Sequence, residues 1–182
     1  MNRIISLSDS KKGFPGIEPA SAHYFYNACM VCLHLSNHSS NVLMELMGDN
    51  NCTIQLQWDN YFNEQIERSF KDIDEATEFG AICITAMLVI EFTGYTIIER
   101  SKKTTGFDYY LGNPNNRPFE KSARLEISGI FKESENNNIR KRYMKKKSQT
   151  NQSDHMRLPA YISIIEFSKP KALLIKKLSS WI

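Results

Sequence analysis

The sequence predicts an α/β protein: a central mixed sheet flanked by helices and extended at its N-terminal end by a small antiparallel β piece. Three observations carry this. A long, nearly all-apolar helical stretch, Asp72 to Phe92, is followed by three short strand-like runs in quick succession. A basic segment, Ile139 to Lys147, then precedes one more apolar strand. Ahead of these, two alternating runs flank Gly48-Asp49-Asn50-Asn51, the pattern of a hairpin.

In chain order, residues 1 to 20 read as an irregular lead-in, broken by Gly13, Pro15, Gly16 and Pro19. Ala28 to Leu35 (ACMVCLHL) is apolar and strand-like. Val42 to Met47 and Thr53 to Trp58 are the two arms of the hairpin. Asp59 to Phe70 has the pattern of a short amphipathic helix. Asp72 or Asp74 is placed to cap the long helix, and Asp74, Glu75 and Glu78 lie in its opening turns, where acids favour the helix dipole. Thr93-Gly94 ends it. The three strand candidates are Tyr95 to Glu99, Phe107 to Leu111 and Ala123 to Phe131, the first rich in β-branched residues. Ile139 to Lys147 reads as a helix, Ser148 to Leu158 as a loop, and Ala160 to Phe167 as a strand bounded by prolines. Lys171 to Trp181 reads as a closing amphipathic helix. The organisation is an N-terminal tail and β extension over residues 1–70 and an α/β core over residues 71–182.

Composition bounds the function classes. The 182 residues are 41% hydrophobic and 24% charged, ordinary for one globular domain, with a net charge of only +3. The run Ala81 to Phe92 falls short of the about 20 residues a membrane span needs. The polar N-terminus does not read as a secretory signal, so a cytoplasmic location with reduced cysteines and no membrane partner is expected. Cys29, Cys32, His34 and His38 sit too close together for the usual separation of zinc ligand pairs, and the cysteines read as small core residues. P-loop, dinucleotide-binding and nucleophile-elbow motifs are absent from the sequence.

Chemistry concentrates in two places. Asp108 and Glu126, with 17 residues between them, lie in adjacent strand candidates and form a carboxylate pair. In the third strand Leu125 and Ile127 face one side, while Glu126 and Ser128 face the other. Two carboxylates on neighbouring strands suit magnesium or manganese, with the Ile127 carbonyl as a third oxygen ligand. The bland alternative is a sheet-edge pairing with Arg100, Lys102 or Arg124. The second place is the segment from Ile139 to Lys147, where six of nine residues are basic: Arg140, Lys141, Arg142, Lys145, Lys146 and Lys147. Ile139 and Tyr143, four apart, would anchor such a helix and leave the charges to meet phosphates.

The helix, three strands, helix, strand order, together with Asp108 and Glu126-Ile127-Ser128, resembles the PD-(D/E)XK nuclease superfamily, which includes many restriction endonucleases. The resemblance covers residues 72 to 167. It implies a restriction-endonuclease-like core and a magnesium- or manganese-dependent endonuclease acting on nucleic acid, DNA first, in a microbial defence or mobile-element setting. It also implies metal ligation by Asp108, Glu126 and the Ile127 carbonyl, with Glu78 on the preceding helix as a further acid. Ser128 stands where the superfamily has its catalytic lysine, and Lys102 is the first candidate to serve instead, ahead of Lys103, Lys121 and Lys169. The alternative reading is a catalytically inactive nucleic-acid-binding or protein-interaction subunit, including a toxin or antitoxin partner, with a homodimer or small protein partner.

Overall fold

A computed structural model describes residues 3–59 and 62–177. Its elements are β1 (Arg3–Ser6), a 3-10 turn (Leu7–Lys12), α1 (Pro19–Leu35), β2 (Val42–Gly48), β3 (Cys52–Gln57), α2 (Glu64–Ser69) and α3 (Ile73–Thr93). There follow β4 (Thr96–Arg100), β5 (Tyr109–Gly112), β6 (Ala123–Ile130), α4 (Ile139–Thr150), a second 3-10 turn (Asn151–Met156), β7 (Ala160–Glu166) and β8 (Lys171–Lys177). The strands form one mixed sheet in the order β1-β3-β2-β8-β7-β6-β5-β4. The α/β class with a mixed sheet therefore holds. β4, β5 and β6 pair antiparallel, and β6 runs parallel to β7.

α1 and α3 pack together over one face of the sheet, where Cys29, Leu33, Ile84 and Leu88 meet Leu125, Ile127 and Ile165. α4 covers the other face: Ile139 and Tyr143 pack on Ile130, Ile162 and Ile164, the anchoring that their spacing predicts. Asp72 caps α3, its Oδ1 accepting from the backbone N–H groups of Asp74 and Glu75, and Gly94 closes it at φ 72°. α3 has the length and apolarity of a membrane span, but 61% of its apolar window is buried inside the fold.

Four expectations are corrected. Ala28 to Leu35 is the second half of α1, not a strand. Packed beside α3 over the same face of the sheet, this half of the helix is apolar on nearly every side, so no 3.6-residue period stands out, and a short apolar run does not tell helix from strand. Its Cys29 and Cys32 are fully buried, and burial pushes both thiols up, Cys32 to about 12, as for protonated core residues. The lead-in is not irregular: β1 pairs with β3, Leu7 and Ile17 are buried, and the Gly16 N–H donates to the Ile97 carbonyl, covering the outer edge of β4.

Third, Lys171 to Lys177 is a strand, β8, with Ala172 and Leu174 facing the α1–α3 core at period two, while Leu173 and Ile175 on the other face pack in the α4 cluster and Lys177 bonds Asn151 and Asp154. The remainder of that expected helix, residues 178–182, lies outside the described residues. Seated between β7 and β2, β8 joins the N-terminal strands to the rest in one sheet. Residues 148–150 extend α4, and Asn151–Met156 is 3-10 rather than open loop.

β6 approaches α3 closely at Gly129. A Cβ there would lie 2.3 Å from the Thr77 carbonyl oxygen. This contact brings the N-terminal turns of α3, with Glu78, beside the C-terminal half of β6.

Candidate active site at the junction of β5 and β6

The β5–β6 ladder runs from Leu111↔Ala123 to Tyr109↔Leu125. One residue before it, Asp108 donates its N–H to the Leu125 carbonyl and then leaves the sheet. Its side chain takes over the next ladder position, Oδ2 accepting from the Ile127 N–H at 2.8 Å. Backbone groups of odd-numbered β6 residues point toward β5, so the Ile127 carbonyl faces the gap that β5 has vacated. A strand end thus aims one carboxylate and one carbonyl at the same opening.

Glu126 lies opposite Asp108 and points toward α4. It is 1% exposed. Its Oε1 accepts from Lys146 Nζ at 2.5 Å and from Gln149 Nε2 at 3.1 Å. Its Oε2 is buried with no hydrogen-bond partner. Burial and the neighbouring Asp108 carboxylate raise the Glu126 pKa to about 7, against the opposing pull of the Lys146 ammonium. A buried carboxylate with one oxygen unpaired is satisfied either by a proton or by a cation.

The alternation predicted along β6 holds: Leu125 and Ile127 join the α1–α3 core, while Glu126 and Ser128 face α4. Ser128, 4% exposed, receives a long hydrogen bond of 3.4 Å from Arg142. Glu78 is exposed on α3 and borders two cavities. The larger, about 510 Å³, is also lined by Ser128, Gly129, Arg142 and Lys146. The smaller, about 90 Å³, includes Arg100, Asp108, Tyr109 and Ile127. Glu78 therefore stands at the lip on the α3 side. Lys102 is exposed between β4 and β5 and makes no ion pair or side-chain hydrogen bond with Asp108 or Glu126. No three of the described His, Cys, Asp and Glu side chains cluster as a ready-made metal cage.

The basic helix divides. Arg140, Lys141, Lys145 and Lys147 are exposed, whereas Arg142 and Lys146 turn into the larger cavity. Lys146 is the lysine beside the carboxylate pair, and the sequence reading placed it only in the basic patch. A signal was present: Ile139, Tyr143, Lys146 and Thr150 follow the i, i+4, i+7, i+11 spacing of one helical face. The anchors at 139 and 143 therefore imply an inward Lys146. Gln149 and Asn137, which hold Glu126 and Arg142, were also missed, because nothing local marks them.

Arg124 and Glu166 have structural roles. Arg124, 1% exposed, donates to the carbonyls of Thr150 and Leu158, to Ser153 Oγ and to Asp154, which Lys177 also grips. It ties the C-terminal end of α4 to β6 and so fixes where Lys146 and Gln149 reach. Glu166 accepts from the backbone N–H groups of Ser168 and Lys169 and caps the β7–β8 turn.

Comparison with known proteins finds no family model, curated protein or solved structure that matches this chain. The site's own chemistry therefore carries the functional reading.

Proposed function

We propose that this chain is a metal-dependent nuclease that hydrolyses phosphodiester bonds in nucleic acid, with DNA the first candidate substrate. The observation that carries the reading is Glu126: a buried carboxylate with Lys146 on one oxygen, no donor on the other, and Asp108 alongside at a strand end. The series α3, β4, β5, β6, α4, β7 supports it, since helix, three strands, helix, strand is the order of the restriction-endonuclease-like core.

The donor set fits a hard cation. Asp108 has an oxygen not used by the Ile127 N–H, Glu126 has the unpaired Oε2, and the Ile127 carbonyl faces the same gap. These three would hold magnesium or manganese, with Glu78 within the same rim. When bound, such an ion polarises a phosphoryl oxygen and acidifies water.

The chain's own residues do the rest. The Lys146 ammonium helps hold Glu126 ionised near neutral pH and lines the cavity where a phosphate would sit, taking the role of the lysine that Ser128 displaces. Its position on a helix clamped by Arg124, rather than on a mobile loop, keeps that charge preorganised. Ile127 and Tyr109 close the site from the α3 side. The exposed cations of α4 neutralise flanking phosphates without reading sequence.

The test is cleavage of DNA and RNA by purified protein with magnesium or manganese. The native chain should cut, and chelation should stop it. Asp108→Asn, Glu126→Gln and Lys146→Met should each lose activity by at least about 10²-fold while still unfolding cooperatively. A native protein that cuts neither nucleic acid with either ion, and binds no manganese at Asp108 and Glu126, overturns the reading in favour of an inactive binding subunit.

A further inference from the structure

The two inward cations of α4 are not equivalent. Lys146 is neutralised by Glu126. Among the described residues Arg142 has no carboxylate at ion-pair distance, although its side chain is held as firmly. Its Nε and Nη2 both donate to Asn137 Oδ1, at 3.2 and 2.6 Å, and its Nη1 reaches Ser128 Oγ at 3.4 Å. Asn137 orients the guanidinium without cancelling its charge.

We propose that Arg142, Asn137 and Ser128 form a phosphate subsite for the nucleotide next to the one held at Asp108 and Glu126. This deepens the nucleic-acid reading of that site and rests on it. Of the five guanidinium N–H donors, three are engaged, which leaves one on each terminal nitrogen. That remaining pair is the fork that matches a phosphate. The Ser128 oxygen accepts from Arg142, so its own O–H is left to donate. A half-buried, oriented cation with only neutral partners is poorly compensated until an anion arrives. The opposite wall carries Asp72, Asp74, Glu75 and Glu78, but all four are exposed and screened by solvent.

Spacing selects the ligand. Glu126 and Ser128 lie two residues apart on one face of β6, about 6.6 Å at ~3.3 Å per residue. One nucleotide of sugar–phosphate backbone spans that interval. Ser128, which departs from the superfamily's lysine, thereby gains a role of its own: it lets the guanidinium of Arg142 reach the strand, where a lysine side chain would occupy the space.

The experiment measures binding of a short fluorescent DNA duplex, and of its RNA counterpart, by anisotropy over a salt series in chelator, so that nothing is cleaved. Arg142→Gln should weaken binding about tenfold or more, the effect of one charge-assisted contact. It should also reduce the salt slope by about 0.9, one phosphate's share for duplex DNA. Asn137→Ala leaves the charge in place, and should still weaken binding severalfold because the fork is no longer oriented. Arg142→Lys should restore the salt slope but only part of the affinity. Urea unfolding of each variant separates lost folding from lost binding.

Native-like affinity in Arg142→Gln, or in Asn137→Ala, overturns the subsite and leaves Arg142 an ordinary surface charge. Displacement of the duplex by inorganic phosphate at equal concentration overturns it too, because a free anion would then be the ligand. If the native chain binds but never cleaves, the nuclease reading fails and the subsite stands. If it cleaves and Arg142→Gln cleaves equally well, the reverse holds.

Discussion

Glu126→Gln is expected to make the stability of the folded protein less dependent on pH even as it removes a ligand of the proposed metal site. In the folded chain Glu126 holds its proton to about pH 7, against an ordinary 4.5. Between those values the folded state binds more protons than the unfolded one, so raising pH through this window weakens the fold. At about 1.4 kcal/mol per pKa unit, the ionised Glu126 costs about 3 kcal/mol once the pH is above 7. The causes are its burial and the Asp108 carboxylate beside it, only partly offset by Lys146. Glutamine keeps the shape and an acceptor for Lys146 but does not ionise. The stability of Glu126→Gln relative to the native chain should therefore rise by about 3 kcal/mol between pH 4.5 and pH 8.

Urea unfolding at several pH values in chelator measures this directly, and histidine titration cancels in the difference. Magnesium supplies the second arm. At pH 8 it should stabilise the native chain, by about 2.7 kcal/mol at a hundredfold excess over its dissociation constant, and leave Glu126→Gln unmoved. A stability difference that stays flat with pH would refute the buried-charge argument. Equal stabilisation of both proteins by magnesium would place the ion elsewhere.

Two further outcomes test the supports of the site. Gly129→Ala puts a Cβ 2.3 Å from the Thr77 carbonyl and should cost about 1–3 kcal/mol by pushing α3, with Glu78, away from β6; thermal unfolding and manganese affinity should fall together. Arg124→Leu strips the Leu158 carbonyl of its side-chain donor, removes one of the two donors to the Thr150 carbonyl and the donor to the Ser153 hydroxyl, and should cost about 3–5 kcal/mol, read by urea unfolding, with amide exchange rising first in residues 150–158.

Much of the candidate site was legible along the chain because strand alternation is local. Leu125 and Ile127 against Glu126 and Ser128 follow from a period of two, and Asp108 falls opposite Glu126 once the hairpin between them is recognised. The long helix with its Asp72 cap, the strands around the pair, and the anchors Ile139 and Tyr143 follow from patterns of a few residues. Arg142 and Lys146 sit in the same basic run as Arg140, Lys141, Lys145 and Lys147, and composition alone does not tell these six residues apart.

Tertiary structure decided the rest. Ala28 to Leu35 became helix because α3 and the sheet bury both of its sides, which erases the period that distinguishes helix from strand. Lys171 to Lys177 became a strand because the turn capped by Glu166 folds it back along β7 and beside β2, partners more than a hundred residues apart in sequence. The unpaired Oε2 of Glu126 and its raised pKa exist only once α4 closes over β6, since desolvation is a property of everything around the carboxylate. The sequence by itself determined which residues bear the charges and which strand carries them. Packing decided which of those charges are buried and paired: it set Lys146 against Glu126 Oε1, left Oε2 without a donor, and turned Arg142 inward with only neutral partners.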